Sequence, residues 1–188
     1  MTHHISCKFQ LPVILYFYNC NMDVLSHGLW GGIAFGRKHK KSFLLAFSFG
    51  VAPDLLSFGI YFVERIFDHN TEWKVGPPDP SLIPEYVYHA YDVTHSLVIF
   101  ALVFLVSWLI LRKPVFEMFA WALHVLMDIF THSTKFFPTP FLWPLADYRF
   151  DGISWGHPAI FFPNVALLAL AYLWYFRVRR KKGRFHKK

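Results

Sequence analysis

Residues 158–176 read PAIFFPNVALLALAYLWYF, 19 consecutive positions without a charge. That is the length a helix needs to cross the hydrocarbon core of a bilayer, and it sets terms for the rest of the chain. Further apolar runs lie at 94–111, polar only at its start, at 43–63, interrupted by Pro53-Asp54, and at 114–131, which carries Glu117, His124 and Asp128. DVLSHGLWGGIAFG (23–36) is shorter and rich in glycine, a marginal span. Only 16% of the residues are charged and 55% are hydrophobic, where soluble domains carry about a quarter charged residues. The chain therefore reads as one all-α unit, a polytopic integral membrane helical bundle of about four to five spans.

Charge placement refines this reading. The net charge of +7 is concentrated in the tail RVRRKKGRFHKK (177–188), which holds 8 basic residues and no acidic one. The remaining 11 basic side chains are balanced by 12 acidic ones. A basic run directly after a long apolar segment reads as a cytoplasmic anchor on anionic lipid rather than a nucleic-acid arm, so no nucleic acid is expected. With that tail in the cytoplasm, alternation also places RKHKK (37–41) and Arg112-Lys113 inside, while loops 64–93 and 132–157 fall outside with only Arg65, Lys74, Lys135 and Arg149. The expected location is the cell membrane, multi-pass, with a cytoplasmic C-terminus. Oligomeric state has no signature.

Three segments result: an N-terminal extension at 1–21 of uncertain origin, a membrane-embedded metal-site domain at 22–176, and the tail at 177–188. The extension lacks a signal-peptide layout, and Met22 is an alternative start. Cys7 and Cys20 cannot build a disulfide framework or a Cys/His zinc pattern, so any metal here would be held by nitrogen and oxygen.

The stretch WALHVLMDIFTHS (121–133) carries the chemistry. His124, Asp128 and His132 fall at i, i+4 and i+8, which stacks them on one helix face. Ionisable groups at membrane depth are costly and usually face a cavity or one another. The topology gathers others towards the same outer side: His27, His95 and, beside a proline able to break its helix, Asp54. Each has a structural reading too. His27 could open a helix, Asp54 could cap a broken one, and His124 with Asp128 could be a buried pair joining two helices. Glu117, nearer the cytoplasmic end, reads as structural.

Lined up, MDVLSHGLWGG, APDLLS, VTHSLV, LHVLMDIFTHS and FLWPLADYRFDG resemble, in that order, the predicted membrane-bound metal-dependent hydrolases over roughly residues 22–155. The order is more distantly similar to the zinc-dependent phospholipase C and nuclease group. The resemblance implies His27, Asp54, His95, His124 and Asp128 as the metal site, between helices near the outer face, with His132 and Arg149 close by. Many members carry a His-Arg-Gly ahead of the Thr-His-Ser. Here the stretch is HAYDVTHS, which puts His89 one residue out of that register as an auxiliary candidate beside His132.

Imidazole and carboxylate together suit a divalent metal, zinc first, with manganese or iron as alternatives, and two ions could share such a set. The expected activity is metal-dependent hydrolysis of a phosphoester or phospholipid-like substrate near the outer leaflet through a metal-activated water. Asp54 would be the catalytic carboxylate that orients this water or accepts its proton, and Arg149 would bind substrate phosphate or carboxylate. The alternatives are a metal-binding membrane transporter or conduit and a non-catalytic membrane scaffold. A conduit should carry ionisable groups on to the cytoplasmic face, and beyond Glu117 none continue that line.

Overall fold

The computed structural model describes residues 24–67 and 79–185, with side chains placed through residue 179. The extension expected at 1–21, with its two cysteines, lies outside the described residues. Among those described are six α-helices: α1 (Val24–Phe35), α2 (Lys40–Phe67), α3 (Glu85–Thr94), α4 (Leu97–Leu111), α5 (Phe119–Thr131) and α6 (Pro158–Phe185). No strand accompanies them; Ser133 and Phe136 form only an isolated bridge. The fold is all-α.

Two helices, α2 and α6, are long and apolar enough to cross a membrane, and α3 with α4 makes a third if that pair, bent by 60°, counts as one span. The four to five full spans expected from the apolar runs are therefore reduced to two or three. Helix α5 shows why. Pro114 disfavours helix at the residue before it, and Phe116–Met118 winds as a short 3-10 turn. Only 13 residues of regular α-helix remain, roughly 20 Å against a hydrocarbon core of roughly 30 Å. Helix α1 is likewise short, ending at Phe35 ahead of Gly36.

Two local features differ from the expected pattern. Pro53 does not break α2; the helix runs through it, and the Ser57 hydroxyl donates to the Pro53 carbonyl at 2.8 Å. Between α3 and α4 the chain turns at His95-Ser96. Ser96 caps α4 by accepting from the Val98 and Ile99 N–H groups, each at 3.1 Å, and its hydroxyl donates to the Trp143 carbonyl. The helix expected from residue 94 thus begins at Leu97, which leaves His95 at the corner.

Close packing holds the short helices against α2. A Cβ at Gly50 would lie 2.6 Å from the His27 carbonyl oxygen, and one at Gly31 would lie 2.7 Å from the Ala120 Cβ. Small residues at such crossings let helix backbones approach, as membrane helices require. Helix α6 joins through polar contacts: Asn164 accepts from Trp30 Nε1 at 2.8 Å and donates to Ser26 Oγ at 3.0 Å, while the Tyr172 hydroxyl donates to the Leu29 carbonyl at 2.9 Å. Outward, α4 and α6 present Leu102, Leu109, Ile110, Leu167, Leu170 and Leu173, each more than half exposed. Apolar surface this continuous needs lipid or protein to cover it.

The segment after α5 folds back over its end. N–H groups of Gly152, Ile153 and Trp155 donate to the carbonyls of His132, Phe130 and Thr131 at 2.8, 3.0 and 2.8 Å, satisfying acceptors that a helix C-terminus leaves open. Asp151 fixes the turn by accepting from the Thr134 N–H and hydroxyl, and the same bonds hold its carboxyl below the usual carboxylate range.

Candidate metal centre

Five of the expected residues meet in the interior. Helix α1 supplies His27, α2 supplies Asp54, the α3–α4 corner supplies His95, and α5 supplies His124 and Asp128. His95, His124 and Asp128 keep 0–1% of their side-chain surface and Asp54 keeps 13%. The i, i+4 spacing on α5 does what helix geometry dictates, bringing His124 Nε2 within 3.0 Å of Asp128 Oδ2.

Hydrogen bonds assign the imidazole tautomers. His124 Nδ1 lies 2.7 Å from the Gly50 carbonyl, which can only accept, so Nδ1 bears the proton. His95 Nδ1 lies 3.0 Å from Thr94 Oγ1 and 3.3 Å from the Tyr91 carbonyl. The Thr94 hydroxyl donates to the Ala90 carbonyl at 2.9 Å, so its oxygen accepts from His95. Both rings therefore keep Nδ1 for an outer acceptor and turn Nε2 inward, and the two Nε2 atoms face each other at 3.1 Å. An imidazole whose outer nitrogen donates to a carbonyl while its inner one is bare is oriented as metal ligands are.

Four atoms converge: His95 Nε2, His124 Nε2, Asp54 Oδ1 and Asp128 Oδ2. The two nitrogens lie 3.4 and 3.7 Å from the Asp54 oxygen, and 3.4 and 3.0 Å from the Asp128 oxygen. A four-coordinate ion with bonds of roughly 2.0–2.2 Å holds its ligand atoms roughly 3.3–3.6 Å apart. Two carboxylates buried together without a cation would repel, and ionised groups at this depth are costly unless compensated. All four atoms lie within 4.8 Å of one another, and the donor set and ring orientations suit a divalent ion. This buried group can hold a metal; its identity is a separate question.

His27 belongs to the other side of Asp128. Its Nε2 approaches Asp128 Oδ1 at 3.0 Å, and its ring lies over that of His124 with centroids 3.9 Å apart. His132 faces the same oxygen from 3.7 Å, its Nδ1 donating to the Phe137 carbonyl at 3.0 Å. As the C-cap of α5, with an extended backbone, it has left the helical ladder that places His124 over Asp128. Asp128 thus presents one oxygen to the four-atom cluster and the other to two further imidazoles.

Two expected residues stand apart. His89 is exposed and pairs with Glu85 at 3.4 Å on the surface of α3. Arg149 pairs with Asp92 at 3.1 Å and donates to the Pro138 carbonyl at 3.3 Å, tying the 132–157 loop to α3. Glu117 accepts from the Ser42 hydroxyl at the other end of α5. Sequence reasoning missed the orienting groups. Thr94 stood inside the Thr-His-Ser triplet and could have been found, because a hydroxyl next to a ligand histidine can accept its outer proton. The Gly50 and Phe137 carbonyls, and the Tyr91 ring stacked on His95 at 3.8 Å, have no local signal.

Comparison with known protein families, with curated proteins and with solved structures finds no match to this chain. The motif resemblance stands on the residues quoted for it alone.

Proposed function

We propose that this chain is a multi-pass membrane protein that binds a divalent metal, zinc first, and hydrolyses a phosphoester or phospholipid-like substrate near the outer leaflet. One observation carries the reading: two imidazoles with Nε2 turned inward converge with two carboxylates, the four ligand atoms all within 4.8 Å of one another. Helices α2, α6 and the α3–α4 pair would cross the bilayer with α1 and α5 as shorter buried companions. The bias of Lys and Arg supports a cytoplasmic C-terminus. A divalent ion bound there would supply Lewis acidity and lower the pKa of a coordinated water towards ~7. His95, His124, Asp128 and Asp54 would hold it. Asp54, the least enclosed carboxylate, is the group best placed to take a proton from water. A second ion would find His27, His132 and the other oxygen of Asp128. For Arg149 to bind a substrate phosphate it would have to leave Asp92.

The near-complete burial of His95, His124 and Asp128 favours a second reading, a metal that ties four helices together without turnover, since structural sites are closed and catalytic ones keep an open position. The deciding experiment measures metal content of the detergent-purified chain together with hydrolysis of bis(p-nitrophenyl) phosphate and of phosphatidylglycerol. Stoichiometric metal with turnover that Asp54→Asn removes supports the hydrolase. Stoichiometric metal without turnover on either substrate, and a melting temperature that collapses on chelation, supports the scaffold.

A further inference from the structure

Away from the metal centre, the turn between α1 and α2 meets the end of α6 in a cavity of about 370 Å³ lined by Arg37, Lys38, Trp174, Tyr175, Val178 and Arg179. The Arg37 guanidinium sits over the Trp174 ring at 5.9 Å, that of Arg179 over Tyr175 at 5.1 Å, and Lys38 Nζ over Phe116 at 5.8 Å. Ring faces hold the two arginines by cation–π attraction and leave their N–H edges to serve another acceptor. None of the three cations forms a salt bridge with a carboxylate among the described residues; Glu117, which accepts from the Ser42 hydroxyl, acts on Lys38 only at longer range. Arg177 and Arg179 follow directly on the uncharged run 158–176 of α6, which puts the cavity where hydrocarbon would give way to headgroups. Along α1 the groove lies roughly 15 Å from His27, and along α2 roughly 20 Å from Asp54, so it is no part of the metal centre.

We propose that this groove seats the phosphate of an anionic lipid headgroup. Its three cations supply a convergent set of N–H donors for phosphate oxygens, the Trp174 and Tyr175 rings flank the glycerol region as interfacial aromatics do, and basic pockets between helices at a membrane surface are built for such lipids. Unlike diffuse attraction to the tail, a seat of this kind selects headgroup charge at a fixed place.

The test follows thermal unfolding of the full chain in detergent micelles with added phosphatidylglycerol, with phosphatidylcholine as the neutral lipid, and with inorganic phosphate as the free anion. Phosphatidylglycerol should raise the midpoint by on the order of 5 °C at saturating excess, while phosphatidylcholine and phosphate leave it in place. Arg37→Gln with Arg179→Gln should remove the rise, and Lys187→Gln with Lys188→Gln, which deletes the same charge from the tail, should retain it. Equal rises with both lipids, a full rise in the groove variant, or equal loss in both variants would overturn the seat. A rise with phosphate alone would assign it to a soluble anion instead. Should the double variant not fold, Lys38→Gln is followed by native mass spectrometry. A roughly tenfold weaker retention of phosphatidylglycerol is expected there, and unchanged retention counts against the proposal.

Discussion

Helices α5 and α6 are built from similar apolar vocabulary and end in opposite environments. In α5, 13 residues bury Ala120, Ala122, His124, Val125, Asp128 and Ile129. In α6, only Leu168 and Tyr175 are buried among residues 158–179, while Leu167, Leu170 and Leu173 stand open. Greasiness does not decide which helix goes inside, because lipid tails satisfy leucine as well as a protein core does. Polar groups and small side chains decide it. Asp128 and His124 must find partners, and Ala120 and Ala122 let neighbours close in. Helix α6 brings its polar handles, Asn164 and Tyr172, to one side and leaves the rest exposed.

The sharpest way to break this contrast is to delete what α5 buries. His124→Ala or Asp128→Ala should abolish stoichiometric metal, weakening affinity by more than the roughly 100-fold upper range for an orienting group. Elemental analysis of the purified, folded variants measures it. Full metal in His124→Ala would turn the pair into a structural contact and remove the main support for the centre.

Next in size are the groups that aim the ligands. Thr94→Val removes the nearer acceptor for the His95 outer proton, leaving the Tyr91 carbonyl at 3.3 Å, and His132→Ala removes an imidazole facing Asp128 Oδ1. Each should weaken metal binding by roughly 10–100-fold, read by competition with a chromogenic chelator, with melting temperature recorded beside it. Loss of stability without loss of affinity would assign both to packing alone.

The smallest effect tests the outer face. Leu170→Ala on α6 should change stability by no more than about 0.5 kcal/mol, whereas Ile129→Ala on α5, which opens a void among packed helices, should cost at least about 1 kcal/mol. Denaturation in mixed micelles compares them. Equal losses would mean that α6 is covered by protein, such as a second copy, rather than by lipid.

What the sequence reveals follows the range of its interactions. His124 and Asp128 are legible because their contact is one helical turn long. His27, Asp54 and His95 come from three other elements, and the charge-derived topology and the motif order, not local spacing, suggested that they meet. The Gly50 carbonyl could not be read at all, since every residue owns one and tertiary approach alone selects it. Span number was over-read because apolar character extends past helix ends: residues 114–118 are oily, yet Pro114 and the turn after it take them out of α5. At Pro53 the opposite holds: a missing N–H costs a bond, yet α2 continues through it from Lys40 to Phe67.

The shortness of α5 has a consequence for the membrane itself. In a bilayer, the irregular backbone of residues 132–157 cannot lie in bare hydrocarbon, so headgroups and water must descend to the end of α5, within about one turn of Asp128. Around α6 the uncharged run extends over the 19 residues 158–176, enough for a full-thickness membrane. In a membrane the chain would therefore wear a lipid collar of unequal height, thinned on the α5 side by hydrophobic mismatch. On that side, a phosphate at the bilayer surface would stand only a short vertical distance above the buried cluster.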